Sequence, residues 1–203
     1  MKAEFHINQE GGFMQKKQLG AKTLIYPMPV VIIGANVEGK PNFNTIAYCG
    51  VAQSKPPMIA ISMDKKRYTN KGIRENNTFS INFPSEGMIK VTDYIGTYSG
   101  KDIDKSKLFK IFYGNMKNAP MIVECPINIE CRVIEIKDFG GKNDLFIGEV
   151  TETYSEEKYL TDEIPDMKKV NPILFSRYEN TYWKVGEYLG EASEVGKNYK
   201  AGN

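Results

Sequence analysis

The chain has 203 residues and a formal net charge of +2, with 27 Lys and Arg interspersed among 25 Asp and Glu, so its length suits one large domain and its charge calls for no nucleic-acid or membrane partner. Its three cysteines, Cys49, Cys125 and Cys131, form no CxxC pair and His6 is the only histidine, which fits reduced thiols and excludes a recognisable transition-metal set or a histidine-based nucleophile elsewhere in the chain. Without the apolar core of a signal peptide or a run long enough to span a bilayer, the expected location is the cytoplasm.

Residues 1–19 carry no clear period and read as an extension. In Leu24 to Val37, LIYPMPVVIIGANV, two prolines precede a β-branched run, which predicts an irregular entry and a buried strand from about Pro29. After the polar turn Glu38-Gly39-Lys40 comes the stretch from Asn42 to Pro57, with a strand expected over Asn44 to Cys49. Ala47 and Gly50 let a flat ligand approach the backbone, and Asn42 and Thr45 offer fixed polar contacts. The same residues also suit an ordinary hairpin with a Pro-Pro exit.

Met58 to Met63 reads as the next strand. Tyr68 to Asn76 reads as a helix with Thr69 as a possible cap and Asn76-Asn77 as its end, followed by the strand Thr78 to Phe83. In Met88 to Tyr98, apolar residues at Met88, Val91, Ile95 and Tyr98 predict one buried helical face. A loop, SGKDIDKSKLF, comes next. Pro126 to Asp138 alternates, with Ile127, Ile129, Cys131 and Val133 on one face and Asn128, Glu130 and Arg132 on the other. Gly140-Gly141 turns it into a partner strand over Asp144 to Tyr154. A helical turn at Glu156 to Leu160, a last strand over Asn171 to Tyr178 and a polar tail from Tyr182 complete the reading. About seven strands with short inserted helices predict a mostly β chain forming a closed or nearly closed barrel.

No GxGxxG, Walker, HExxH or GxSxG motif is present, so a Rossmann-bound dinucleotide has no support. Five segments nevertheless occur in the order of one family: YPMPVVIIGA, PNFNTIAYCG through KPPMIAISM, KKRYTNKGIRENNTFSINFPSE, IGTYSGKDIDK and LFIGEV. Together, over roughly residues 20–190, with residues 191–203 left as a tail, they resemble the flavin reductase-like, FMN-binding split-barrel proteins, and among them the flavoredoxins.

The resemblance implies a homodimer of split β-barrels with FMN near the subunit contact. It implies that Asn42, Thr45, Ile46, Ala47, Tyr48 and Cys49 form a shelf for the isoalloxazine, although Tyr48 also suits a core aromatic and Cys49 a small buried hydrophobe. Ser62, Lys65 and Arg67 lead to Thr69, which matches a phosphate ligand at a helix N-terminus or else a plain cap. Ser99 and Lys105 match the loop that reaches the ribityl phosphate; otherwise Lys105 is a solvated charge. Three departures stand out: Lys101 replaces the usual arginine, Ser106 a common phenylalanine, and Asn143-Asp144 a histidine near the flavin.

The activity implied is an FMN-dependent oxidoreductase carrying electrons from a nicotinamide or protein donor to a flavin, ferric or protein acceptor, with no side chain assigned as catalytic and no metal. A flavin storage or sensing module is the alternative. FMN rather than FAD is expected, because the matched loops offer one monophosphate site and no glycine fingerprint for a pyrophosphate.

Overall fold

A computed structural model describes residues 6–7, 13–14, 16–197 and 199–200. Most of the expected extension, and the last three residues of the tail, lie outside the described residues; within the extension, His6–Ile7 pairs antiparallel with Phe13–Met14.

The β-branched run after Pro29 forms β1 (Val31–Val37), in which every residue is buried. It is continuous because both of its faces are covered. Val31, Ile33 and Ala35 join the larger apolar cluster, with Ile61, Phe79, Cys131 and Phe146. Ile32 points the other way, into a second cluster with Phe43, Ile95, Ile122 and Cys125. Glu38 and Gly39, at φ of 52° and 76°, turn the chain into β2 (Lys40–Ile46), as a two-residue hairpin loop requires. There follow β3 (Cys49–Ser54), β4 (Pro57–Asp64), α1 (Tyr68–Asn76), β5 (Thr78–Phe83), α2 (Ile89–Thr97), β6 (Ile127–Asp138) and β7 (Asn143–Ser155).

These strands make one antiparallel sheet in the order β2-β1-β5-β6-β7-β4-β3. Its two edges, β2 and β3, are consecutive in the chain and separated only by Ala47 and Tyr48. A sheet whose opposite edges are joined by two residues has to curl until those edges meet. The Ser62 amide, donating to the Tyr48 carbonyl at 2.9 Å, holds the corner, and the ladder itself stays open between β2 and β3. The fold is therefore a mostly β split barrel with a few short helices.

Several local expectations need correction. The single strand expected over Asn44 to Cys49 is broken at Ala47-Tyr48, and β3 lies in what read as the approach to Pro56-Pro57. Thr69 is not the cap of α1: Arg67 occupies that position and makes no side-chain cap bond. The end of α1 is as expected, with Asn77 left-handed and its N–H on the Ile73 carbonyl at 2.8 Å. Tyr98 does not join the buried face of α2 and is half exposed.

Asn128 and Glu130, placed by alternation on a polar face, are buried, because the segment around residues 113–122 covers that face. Asn128 donates to Asn82 Oδ1 and to the Ile122 carbonyl, both at 2.8 Å. The Glu130 carboxylate accepts the Asn115 and Met116 amides. Thr181–Lys184, read as tail from Tyr182 onward, is a strand pairing with Ile173–Ser176, which also pairs with Met28–Pro29. Among the described residues no helix is long and apolar enough to cross a membrane.

Candidate functional site

The site begins where β4 ends. The Asp64 carboxylate accepts the Lys66 amide at 2.9 Å and its carbonyl accepts the Arg67 amide at 3.0 Å, a side-chain-mimicked turn that sets the start of α1. No side chain caps that start, and no acidic residue lies in its first turn. The helix therefore presents unneutralised N–H groups, a position that favours an anion.

Four polar side chains gather there. Asn42 Nδ2 donates to Thr69 Oγ1 at 2.7 Å, and both residues are buried. Lys105 is only 2% exposed; its Nζ donates to the carbonyls of Phe43 at 2.9 Å and Ile95 at 2.7 Å. Arg67 Nη1 donates to the Gly96 carbonyl at 2.9 Å. Neither Lys105 nor Arg67 forms an ion pair among the described residues. Burial, and then the neighbouring Arg67 charge, draws the Lys105 ammonium down to about 8. The nearest carboxylate, Asp64, is paired with Lys142 at 2.9 Å, so two cations bonded only to carbonyls leave a deficit of negative charge that a bound anion would fill.

This end is a recess of about 230 Å³ lined by Asn42, Asn44, Arg67, Thr69, Ser99 and Lys105, among others. Gly100 lines it because it must: a Cβ there would come within 2.0 Å of Asn42 Oδ1. A second recess of about 220 Å³ adjoins it through Asn44, Asp64 and Arg67. Thr45, Ile46, Ala47, Tyr48, Ser62 and Asn143 line this second part. Thr45 Oγ1 donates to the Thr92 carbonyl at 2.6 Å, and Asn143 Nδ2 to Ser62 Oγ at 3.1 Å, so both polar walls are fixed. The whole is an elongated groove with a cationic end and a flatter, mixed end.

Two expected residues lie elsewhere. Cys49 lines neither recess; it packs against the barrel core, and burial pushes its thiol up to about 12. Lys65 pairs with Asp138 at 2.7 Å, away from both recesses. Conversely, sequence reasoning passed over Asn44, Lys142, Phe175 and Arg177, which line the mixed end. The Arg177 guanidinium sits 5.2 Å from the centre of the Tyr48 ring. Its only signal in the sequence was a basic residue closing the apolar strand ILFS.

The comparisons with known proteins bear on this groove. The model of the flavin reductase like domain matches residues 23–181. The chain belongs to the flavin reductase-like family. Among solved structures, the flavoredoxin from Methanosarcina acetivorans is 47% identical, with a TM-score of 0.88 over 91% of this chain and 98% of that one. The flavoredoxin of Desulfovibrio vulgaris is 36% identical, with a TM-score of 0.83 over 90% of this chain and 100% of that one. At 23% identity, the FMN-binding protein from Thermus thermophilus shares the fold, with a TM-score of 0.75 over 89% of this chain and 98% of that one. Within the flavin reductase-like family the chain thus stands beside the flavoredoxins.

Proposed function

We propose that this protein is an FMN-dependent oxidoreductase that moves electrons between a nicotinamide or protein donor and a flavin, ferric or protein acceptor. The observation that carries the reading is Lys105, buried without a carboxylate beside Arg67 and the open start of α1. That arrangement fits a phosphate monoester, which brings close to two negative charges and three acceptor oxygens. The adjoining recess, walled by Thr45, Ala47, Tyr48 and Asn143, has the flat, half-polar character an isoalloxazine needs.

Bound flavin supplies the redox chemistry. What the chain contributes is placement: Lys105, Thr69 and Arg67 hold the anionic end, and the Ala47-Tyr48 corner meets the ring. The groove contains no histidine and needs none. Cys49, protonated and facing the core, takes no part.

The homodimer follows the same resemblance, and exposed apolar side chains such as Val51 on edge strand β3 and Trp183 support it. Light scattering should give a dimer at micromolar concentration. For the activity, the purified protein reconstituted with FMN should be mixed anaerobically with NADH, NADPH or a reduced protein carrier. Bleaching of the flavin bands at a catalytic rate with at least one of them is expected. Flavin bound but reduced by none of them would reduce the protein to a carrier or sensor.

A further inference from the structure

The hairpin of β6 and β7 ends beside the mixed end of the groove. Its turn carries Phe139, 75% exposed, between Lys137 and Lys142, which are exposed as well. A single ring left in water is ordinary on a protein surface; what sets this one apart is the charge around it and the groove beside it. Lys137 pairs across the sheet with Leu145, and Leu145 with Ser62, so all three side chains leave the same face. On that face Ser62 and Asn143 wall the mixed recess. Across the tip, the Lys65 amide donates to the Lys142 carbonyl at 3.1 Å, which lays the turn before α1, with Lys65 and Lys66, alongside it.

The charge here is one-sided. Lys142 and Arg177 line the recess itself, and Lys22 joins Arg177 over the Tyr178 ring. The acids close by in the chain are Asp64, Asp138, Glu135 and Glu179. The first two are already neutralised, by Lys142 at 2.9 Å and by Lys65 at 2.7 Å, whereas Lys66, Lys137 and Arg177 have no ion pair among the described residues. Six cations thus meet four acids, an excess of two that equals the formal excess of the whole chain. Such a patch steers an acidic partner, and an exposed aromatic within it is the kind of side chain that anchors a contact. A nicotinamide, which has to enter the recess itself, would leave Phe139 untouched; a protein would cover the tip and the mouth of the recess together.

We propose that the hairpin tip and the turn before α1 form a docking surface for an acidic protein electron carrier, its carboxylates meeting the lysines and an apolar spot on it receiving Phe139. This rests on the flavin reading above and names the class of donor. Each docked carrier, in its reduced form, gives up one electron past the wall formed by Lys142 and Asn143. Two such encounters, with protons from water, reduce the bound flavin fully and leave two oxidised carriers.

The test is calorimetric titration of the FMN-loaded protein with two acidic probes, an oxidised [2Fe–2S] ferredoxin and an oxidised flavodoxin, and with a basic c-type cytochrome as control. At least one acidic probe should bind at about 0.02 M salt and weaken by about tenfold or more at about 0.3 M, where surface charges are screened. The cytochrome should not bind. Lys137→Glu and Phe139→Ser, separately, should weaken the acidic probe by roughly five- to twentyfold. Neither residue lines a recess, so FMN affinity and the rate of flavin reduction by dithionite should stay within about twofold of the wild type, while reduction by the reduced probe slows. Binding of neither acidic probe at low salt would overturn the proposal, as would binding that both variants leave unchanged. A dimer that dissociates in Lys137→Glu or Phe139→Ser, seen by light scattering, would assign the tip to the contact between two copies and overturn it too. Failure of the wild type to take up FMN would overturn the flavin reading itself.

Discussion

Asn42 and Thr69 meet at 2.7 Å, the amide of the strand residue donating to the hydroxyl of the helix residue, with both side chains buried. Because Thr69 Oγ1 accepts from Asn42, its own proton is directed to another acceptor, and the groove lies beside it. Thr69→Val should keep the shape and remove that donor. A neutral hydrogen bond is worth about 0.5–1.5 kcal/mol net, so FMN should weaken by roughly two- to tenfold. Riboflavin, lacking the phosphate, should bind as before; fluorescence quenching with both ligands checks this.

Lys105→Met should weaken FMN more, by about ten- to a hundredfold, because a charge-assisted bond contributes roughly 1.5–3 kcal/mol. The same variant tests the pH dependence. With Lys105 drawn down to about 8 by burial and by Arg67, its proton is lost from the flavin-free folded protein before it is lost from the unfolded chain. Between about 8 and the ordinary lysine value near 10.4 the unfolded chain binds the extra proton, so this group's contribution to stability rises with pH there. Phosphate binding goes the other way. FMN affinity should fall as pH rises through that window, and the fall should be absent in Lys105→Met. A profile identical in the two proteins would assign the titration to another group.

Much of this was legible in the sequence, and the exceptions have physical causes. The buried strand after Pro29, the hairpin around Gly140-Gly141 and the end of α1 at Asn77 come from patterns that local sterics and burial impose. Strand β3 was missed because all but Cys49 of its CGVAQS residues are exposed, so burial imprints no alternation on an edge. Asn128 and Glu130 were assigned outward because alternation cannot foresee a loop laid over the outer face of β6. In the candidate site, Thr69 and Lys105 were named only through a family resemblance; residue type alone left them a cap and a surface charge. Lys65 and Cys49 were carried along by proximity in sequence, since neighbours in a turn or strand diverge in space. Arg177 and Phe175 reach the groove from the far end of the chain, and no local pattern announces such a contact.

Arg177 lies over the face of Tyr48 at 5.2 Å, at the end away from Lys105. Arg177→Ala should therefore weaken riboflavin and FMN by the same factor. A half-exposed cation–π contact is worth about 0.5–1 kcal/mol, or roughly two- to fivefold. Selective loss of FMN in this variant would show that the phosphate occupies the Arg177 end.

Gly72 places α1 against β1: a Cβ there would come within 2.3 Å of the Asn36 carbonyl oxygen. Gly72→Ala should push the helix off the sheet and cost about 1–3 kcal/mol in denaturant unfolding, the usual range for overpacking. Because α1 carries Thr69 at its start, FMN affinity should drop with it. Cys49→Ala, by contrast, should leave flavin reduction rates unchanged, and the wild-type thiol should resist alkylation at neutral pH, being held protonated to about 12.

The most direct measurement is a crystal structure of the protein with FMN. The phosphate is expected within hydrogen-bonding distance of Thr69 Oγ1 and Lys105 Nζ at the start of α1, with the isoalloxazine against Thr45 to Tyr48. A flavin in the reverse orientation, with its phosphate at Lys142 and Arg177, or a flavin bound outside the groove, would contradict the assignment of Lys105 as the anion anchor.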